Sequence, residues 1–130
     1  MAVYVDTSAL VKLVVREPES DALVAWAATE AAQAVSADLA RTELVRAVRR
    51  SNPEQAERAR DVLDSVTLLA LTPEILESAG RIEPRGLRSL DAVHLAAALA
   101  LGDDLDAIVT YDERLAEAAR SHGVHVLAPE

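Results

Sequence analysis

The chain has 130 residues, 13 Lys and Arg against 22 Asp and Glu, a formal charge of −9 and 51% hydrophobic residues. That length and apolar content predict one domain over 1–130 with a real core, and they exclude a disordered chain. Cysteine is absent, which removes disulfide scaffolds, thiolate metal sites and thiol catalysis, so any metal must be held by oxygen or imidazole.

Ala2–Val5 reads as a short buried strand ending at Asp6, and the next residues carry a helical stripe through Leu10, Leu13 and Val14. Asp6 and Lys12 interrupt this apolar start and no basic run precedes it. It therefore fits neither a signal peptide nor a membrane span, and a cytoplasmic protein is expected. Lys12, the only lysine, is expected to snorkel on the surface. Glu17-Pro18-Glu19-Ser20 stops the first helix and opens a second that runs through Thr29, and Ala34–Ser36 is a candidate strand.

Asp38 is placed to cap a helix running to Arg50, with Leu39, Thr42, Val45, Ala47 and Val48 inward and Arg41, Arg46, Arg49 and Arg50 outward. A helix over Pro53–Asp64, a β-rich run Val66–Leu71 and a helix opened by Thr72-Pro73 follow. Arg81–Arg88, with Pro84 and Gly86, reads as a loop, and the most apolar helix runs from Ser89 or Leu90 to Leu101. Ala107–Thr110 is a strand, Asp112–His122 a helix and Val124–Leu127 a last strand. Short apolar strands alternating with helices predict an α/β fold of three layers, with a mainly parallel sheet of about four or five strands between helices.

Four acids stand out: Asp6 at the end of the first strand, Glu43 inside a helix, Asp91 opening the apolar helix and Asp112 just after the fourth strand. Ligands of open parallel sheets bind beyond the carboxyl ends of the strands, so Asp6 and Asp112 converge if their strands are neighbours. Clustered carboxylates in a partly buried cleft need a compensating cation, and Mg2+ or Mn2+, which take oxygen ligands and polarise water, suit that need. Each acid also has a plainer reading. Asp6, Asp91 and Asp112 can be helix N-caps, and Glu43 can share a solvated face with Arg46 or Arg50. His94 follows Asp91 by three residues, the spacing of a helical carboxylate–histidine metal pair, but a lone His on an apolar helix is read as a hydrogen-bonded core residue.

The acidic balance argues against phosphate contacts in general. The distribution is uneven: residues 41–88 hold 9 basic and 8 acidic side chains, whereas residues 91–130 hold 2 and 8.

The segments VYVDTSALVKL, RTELVRAV, LRSLDAVHLAAALAL and IVTYDERLAEAA together resemble the PIN-domain ribonucleases and, in length and layout, the VapC toxins of bacterial toxin–antitoxin pairs. The likeness spans nearly the whole chain, and the order Asp, Glu, Asp, Asp is more specific than any single acid. It implies a PIN-like domain that hydrolyses RNA endonucleolytically with Mg2+ or Mn2+ and so inhibits translation and growth. Asp6, Glu43, Asp91 and Asp112 would be both catalytic and metal-binding residues, with Ser8 and Thr110 as hydrogen-bond partners beside them. It also implies a homodimer and a VapB-like antitoxin whose basic arm enters the acidic cleft. Arg41, Arg46, Arg49, Arg50, Arg85 and Arg88 are the expected RNA contacts. The alternative is a non-catalytic PIN-like module that binds protein or RNA. A receiver-type phosphotransfer domain is disfavoured because it needs a lysine near the last strand, and a haloacid-dehalogenase-like phosphatase because it needs Asp-x-Asp where this chain has Asp6-Thr7-Ser8.

Overall fold

The computed structural model describes residues 1–30 and 33–130. Its strands are β1 (Ala2–Val5), β2 (Ala34–Ala37), β3 (Thr67–Leu69), β4 (Leu105–Val109) and β5 (Val126–Leu127). The helices between them are α1 (Thr7–Val14), α2 (Ser20–Glu30), α3 (Leu39–Ser51), α4 (Ala56–Ser65), α5 (Pro73–Arg81), α6 (Ser89–Leu99) and α7 (Glu113–Ser121). All five strands form one sheet in the order β3-β2-β1-β4-β5, and every pairing is parallel. The predicted α/β architecture is the one that forms, with five strands.

Successive side chains of a strand point to opposite faces, and the core divides accordingly. Val3, Val5, Ala107 and Val109 pack with Leu10, Leu23, Leu44, Val48 and Leu63 from α1 to α4. Tyr4 and Ile108 face the other way and pack with Leu95, Ala97 and Ala98 of α6 and Leu115 and Ala119 of α7. Through Ala79, α5 packs on Ala92 and Ala96 of α6. Small residues let α6 lie close to the sheet. Gly102 opens the short 3-10 turn that follows α6, and Gly123 lies between α7 and β5, both at positive φ (58° and 77°), where a side chain would be strained. Among the described residues no helix is long and apolar enough to cross a membrane.

Three local expectations change. The buried stripe of α3 is Ala40, Leu44 and Val48, four residues apart, while Thr42 is exposed and Leu39, Val45 and Ala47 only flank the stripe. The expected stripe was rotated away from the 40–44–48 axis that packs on the sheet. Asp38 holds the N-cap position of α3 without a side-chain cap bond, because its carboxylate accepts from Arg41 Nε at 2.9 Å. Lys12 is not a free surface residue: its side chain is 13% exposed, its Nζ lies 2.7 Å from Glu19 and 3.4 Å from Glu17, and it stacks 4.8 Å above the Tyr111 ring.

The strand order decides where a ligand can sit. From β1 the chain moves outward to β2 and β3, then returns across the sheet to β4 on the other side of β1. The loops after β1 and β4 therefore diverge and leave a crevice at the carboxyl edge between them.

Candidate active site

Val5 pairs with Val109, so Asp6 and Thr110, one residue further along each strand, stand together at that edge. Asp6 is buried, at 4% exposure. Its Oδ1 accepts from Ser8 Oγ at 2.7 Å and from the Ala9 amide at 3.1 Å, and its Oδ2 accepts from Thr110 Oγ1 at 2.6 Å. Capping α1 and facing the crevice are thus two uses of one carboxylate. Ser8 Oγ also accepts the Tyr111 amide at 3.0 Å, and Thr110 Oγ1 accepts the Asp112 amide at 3.1 Å. The two hydroxyls lock the turn after β1 to the turn after β4. Burial pushes the Asp6 carboxyl up, against the opposing pull of the Ser8 and Thr110 hydroxyls.

Glu43 comes from α3, which starts at the carboxyl end of β2. It does not share a solvated face with arginines. Its side chain is 21% exposed, and its Oε1 accepts from Thr7 Oγ1 at 2.6 Å and faces His94 Nε2 at 2.6 Å. Burial works to raise this carboxyl, yet the hydrogen bonds from His94 and Thr7 hold it below the usual carboxylate range.

Asp91 is the third residue of α6, whose N-cap is Arg88, so capping does not account for it. Asp91 is half-buried, and its carboxylate makes no hydrogen bond to the described residues. Burial, then the negative charge of Asp112, push its carboxyl up, with Asp6 and Glu43 adding in the same direction. Asp112 caps α7, with Oδ1 accepting the Arg114 amide at 2.9 Å and the Leu115 amide at 3.2 Å.

A hard divalent cation fits this donor set. All four groups are carboxylates, and the second oxygens of Glu43 and Asp112 and both oxygens of Asp91 carry no protein hydrogen bond among the described residues. The mutual repulsion felt by Asp91 is the kind a cation relieves. Among the described residues no three His, Asp or Glu side chains lie close enough together to form a ready-made metal cage.

The expected arginine contacts separate in space. Arg46, Arg49 and Arg50 line one surface hollow of about 230 Å³ on α3. Arg85 lines a groove of about 760 Å³ with Leu87, Arg114 and His122, and none of the four acids lines it. Arg41 is paired with Asp38, and Arg88 is exposed at the start of α6. Sequence reasoning missed Thr7, which bonds Glu43, and Arg114, which lines the Arg85 groove; His94 is the buried, hydrogen-bonded core residue that was expected, but its partner Glu43 was not foreseen. The signals for Thr7 and Arg114 were adjacency to Asp6 and the first turn after Asp112.

The PIN domain family model matches residues 3–121. The chain is 44% identical to ribonuclease VapC46 of Mycobacterium tuberculosis, covering 98% of each chain, and 44% identical to ribonuclease VapC47 of the same species, covering 98% of this chain and 96% of that one. It belongs to the PIN domain family, among the VapC-type ribonucleases. Two solved structures share the fold. Mycobacterium tuberculosis VapC20, described as a toxin that cleaves the sarcin-ricin loop, superposes with a TM-score of 0.77 at 18% identity over 90% of this chain and 95% of that one. VapBC2 of Rickettsia felis, bound to a promoter DNA fragment, superposes at 0.72 with 15% identity over the full length of both.

Proposed function

We propose that this single PIN domain is the cytoplasmic toxin of a VapBC-type pair, an endoribonuclease that needs Mg2+ or Mn2+ and halts growth by cutting RNA required for translation. The reading rests chiefly on Asp91: a half-buried carboxylate without hydrogen bonds, pushed up by burial and by Asp112, Asp6 and Glu43, at the switch point of a parallel sheet. Mg2+ or Mn2+, held by Asp6 and Asp91 with Glu43 and Asp112, would neutralise charge at the scissile phosphate and polarise the attacking water. Asp6 is pre-set by Ser8, Ala9 and Thr110, so it meets its ligand without reorganising. Asp91, whose two carboxylate oxygens carry no protein hydrogen bond among the described residues, can hold the cation through one oxygen and accept a proton from water through the other.

RNA reaches an acidic chain through its local cations. The Arg46–Arg49–Arg50 hollow and the Arg85 groove offer phosphates a footing, with Arg41 and Arg88 as further contacts. The partner is a VapB-like antitoxin whose basic arm fits the same acidic edge. Exposed Leu76 on α5 and Leu90 on α6 suit a homodimer contact.

The test is brief induction of the wild type and Asp91→Asn in a bacterial host, followed by transcriptome-wide mapping of new RNA 5′ ends. Discrete ends that vanish in the variant are the expected result. Identical maps from two folded, equally expressed, antitoxin-free proteins would favour a non-catalytic binding module.

A further inference from the structure

His94 is the one buried imidazole among the described residues, 3% exposed on the apolar helix α6. A buried ring of this kind is costly unless both nitrogens are satisfied, and both are. Nδ1 lies 2.7 Å from the Tyr4 hydroxyl, and Nε2 lies 2.6 Å from Glu43 Oε1. An ionised carboxylate only accepts, so Nε2 donates to Glu43, and the neutral ring then accepts the Tyr4 proton at Nδ1. Tyr4 is itself fixed: it is fully buried in β1, and its ring meets the imidazole edge-on at 5.8 Å. Thr7 Oγ1 donates to the same Glu43 oxygen at 2.6 Å and stands 3.4 Å from Nε2, so two neighbouring donors converge on Oε1.

Resting on the metal-dependent reading above, we propose that His94 is a positioning residue for the metal centre. Held by Tyr4, it clamps Oε1 of Glu43 together with Thr7 and thereby aims the second oxygen, Oε2, at the cation. Glu43 has a long side chain with several rotamers, and ordering it in advance removes an entropy cost from ion binding. The arrangement also explains the spacing of Asp91 and His94. Three residues apart on α6, they lie on one helix face, so a single helix supplies one ligand directly and positions another. The ring is not itself a ligand, because the nitrogen nearest the crevice is occupied by Glu43.

The measurement is Mn2+ binding to the RNA-free protein, followed by the electron paramagnetic resonance of free Mn2+, for the wild type, His94→Leu, His94→Gln, Tyr4→Phe and Thr7→Val, each checked by thermal melting. His94→Leu is expected to weaken binding about 10- to 100-fold, the range for loss of a partner behind a metal ligand. His94→Gln, whose amide can donate to Oε1, restores affinity to within about threefold of the wild type, and Tyr4→Phe falls between. Electron spin-echo modulation of the wild-type Mn2+ complex shows no directly bound nitrogen. Wild-type affinity in His94→Leu, a bound nitrogen, or a folded His94→Gln no better than His94→Leu would each overturn the assignment. If His94→Leu does not fold, Thr7→Val removes the other donor to Oε1 and must weaken binding several-fold, and unchanged affinity there overturns the clamp. A wild type that binds no Mn2+ defeats the metal reading itself, a failure distinct from all of these.

Discussion

The crevice has two sides built in different ways. On one, Asp6 is held by groups close to it in the fold's two central turns: Ser8 and Ala9 beside it in sequence, and Thr110 across one strand pairing. On the other, Glu43 is held by Thr7 and by His94, 36 and 51 positions away, with Tyr4 behind. The proton affinities diverge accordingly. Burial dominates at Asp6, and neutral hydroxyls only soften it, whereas at Glu43 the His94 and Thr7 bonds outweigh burial. A carboxylate on a strand end inherits its geometry from the sheet, while one delivered by a helix needs a side-chain clamp.

The comparison breaks most visibly if the acids are removed. Asp6→Asn or Asp91→Asn should lower kcat/KM for RNA cleavage about a thousandfold, equivalent to ~4 kcal/mol of transition-state stabilisation, in a single-turnover assay with purified protein. The next largest effect falls on the strand-end clamp. Thr110→Val leaves a buried carboxylate oxygen without its donor and should cost about 1.5–3 kcal/mol in chemical denaturation, whereas Thr110→Ser should lose much less.

Acidity sharpens the contrast in a different way. Asp6 and Asp91 bind protons more tightly in the fold than in the unfolded chain, so the metal-free protein loses stability as pH rises through their raised pKa values. Glu43 acts in the opposite sense, and its contribution is lost on acidification through its lowered pKa. Melting in EDTA and in Mg2+ should therefore show a larger stabilising increment from Mg2+ at pH 7.5 than at pH 5.5, and equal increments would contradict the clustering of Asp91 with the other acids. The smallest effect belongs to Ser36, whose buried Oγ makes no hydrogen bond of full geometry among the described residues and only a loose approach to the Tyr4 hydroxyl. Ser36→Ala should change stability by less than about 0.5 kcal/mol, in contrast to Thr110→Val.

The same division explains what could be read from the sequence. Strands, helices and the parallel sheet follow from local periodicity and from punctuation by Pro, Gly and Asp, and Asp6, Thr110 and Asp112 are legible because they close strands or open helices. The adjacency of β1 and β4 is not written in either segment; it follows from the crossover that returns the chain past β1. The inward stripe of α3 shifted because an amphipathic pattern with half-buried flanks leaves its rotation to tertiary packing. His94 is the hydrogen-bonded core residue that its place on an apolar helix suggests, but its partners could not be read from the sequence. Tyr4 and Glu43 lie 90 and 51 positions away and meet the ring only once the fold is formed. Lys12 looked free because Glu17 and Glu19, which enclose it, lie beyond the end of its helix.

Whether the four carboxylates at the carboxyl edge of this sheet hold a divalent cation is read by calorimetric titration of Mn2+ into the RNA-free wild type and Asp91→Asn. Saturable binding to the wild type is expected, with at least tenfold weaker binding to a variant that melts no lower in EDTA. Equal affinity in the two proteins would contradict a metal centre built on these acids.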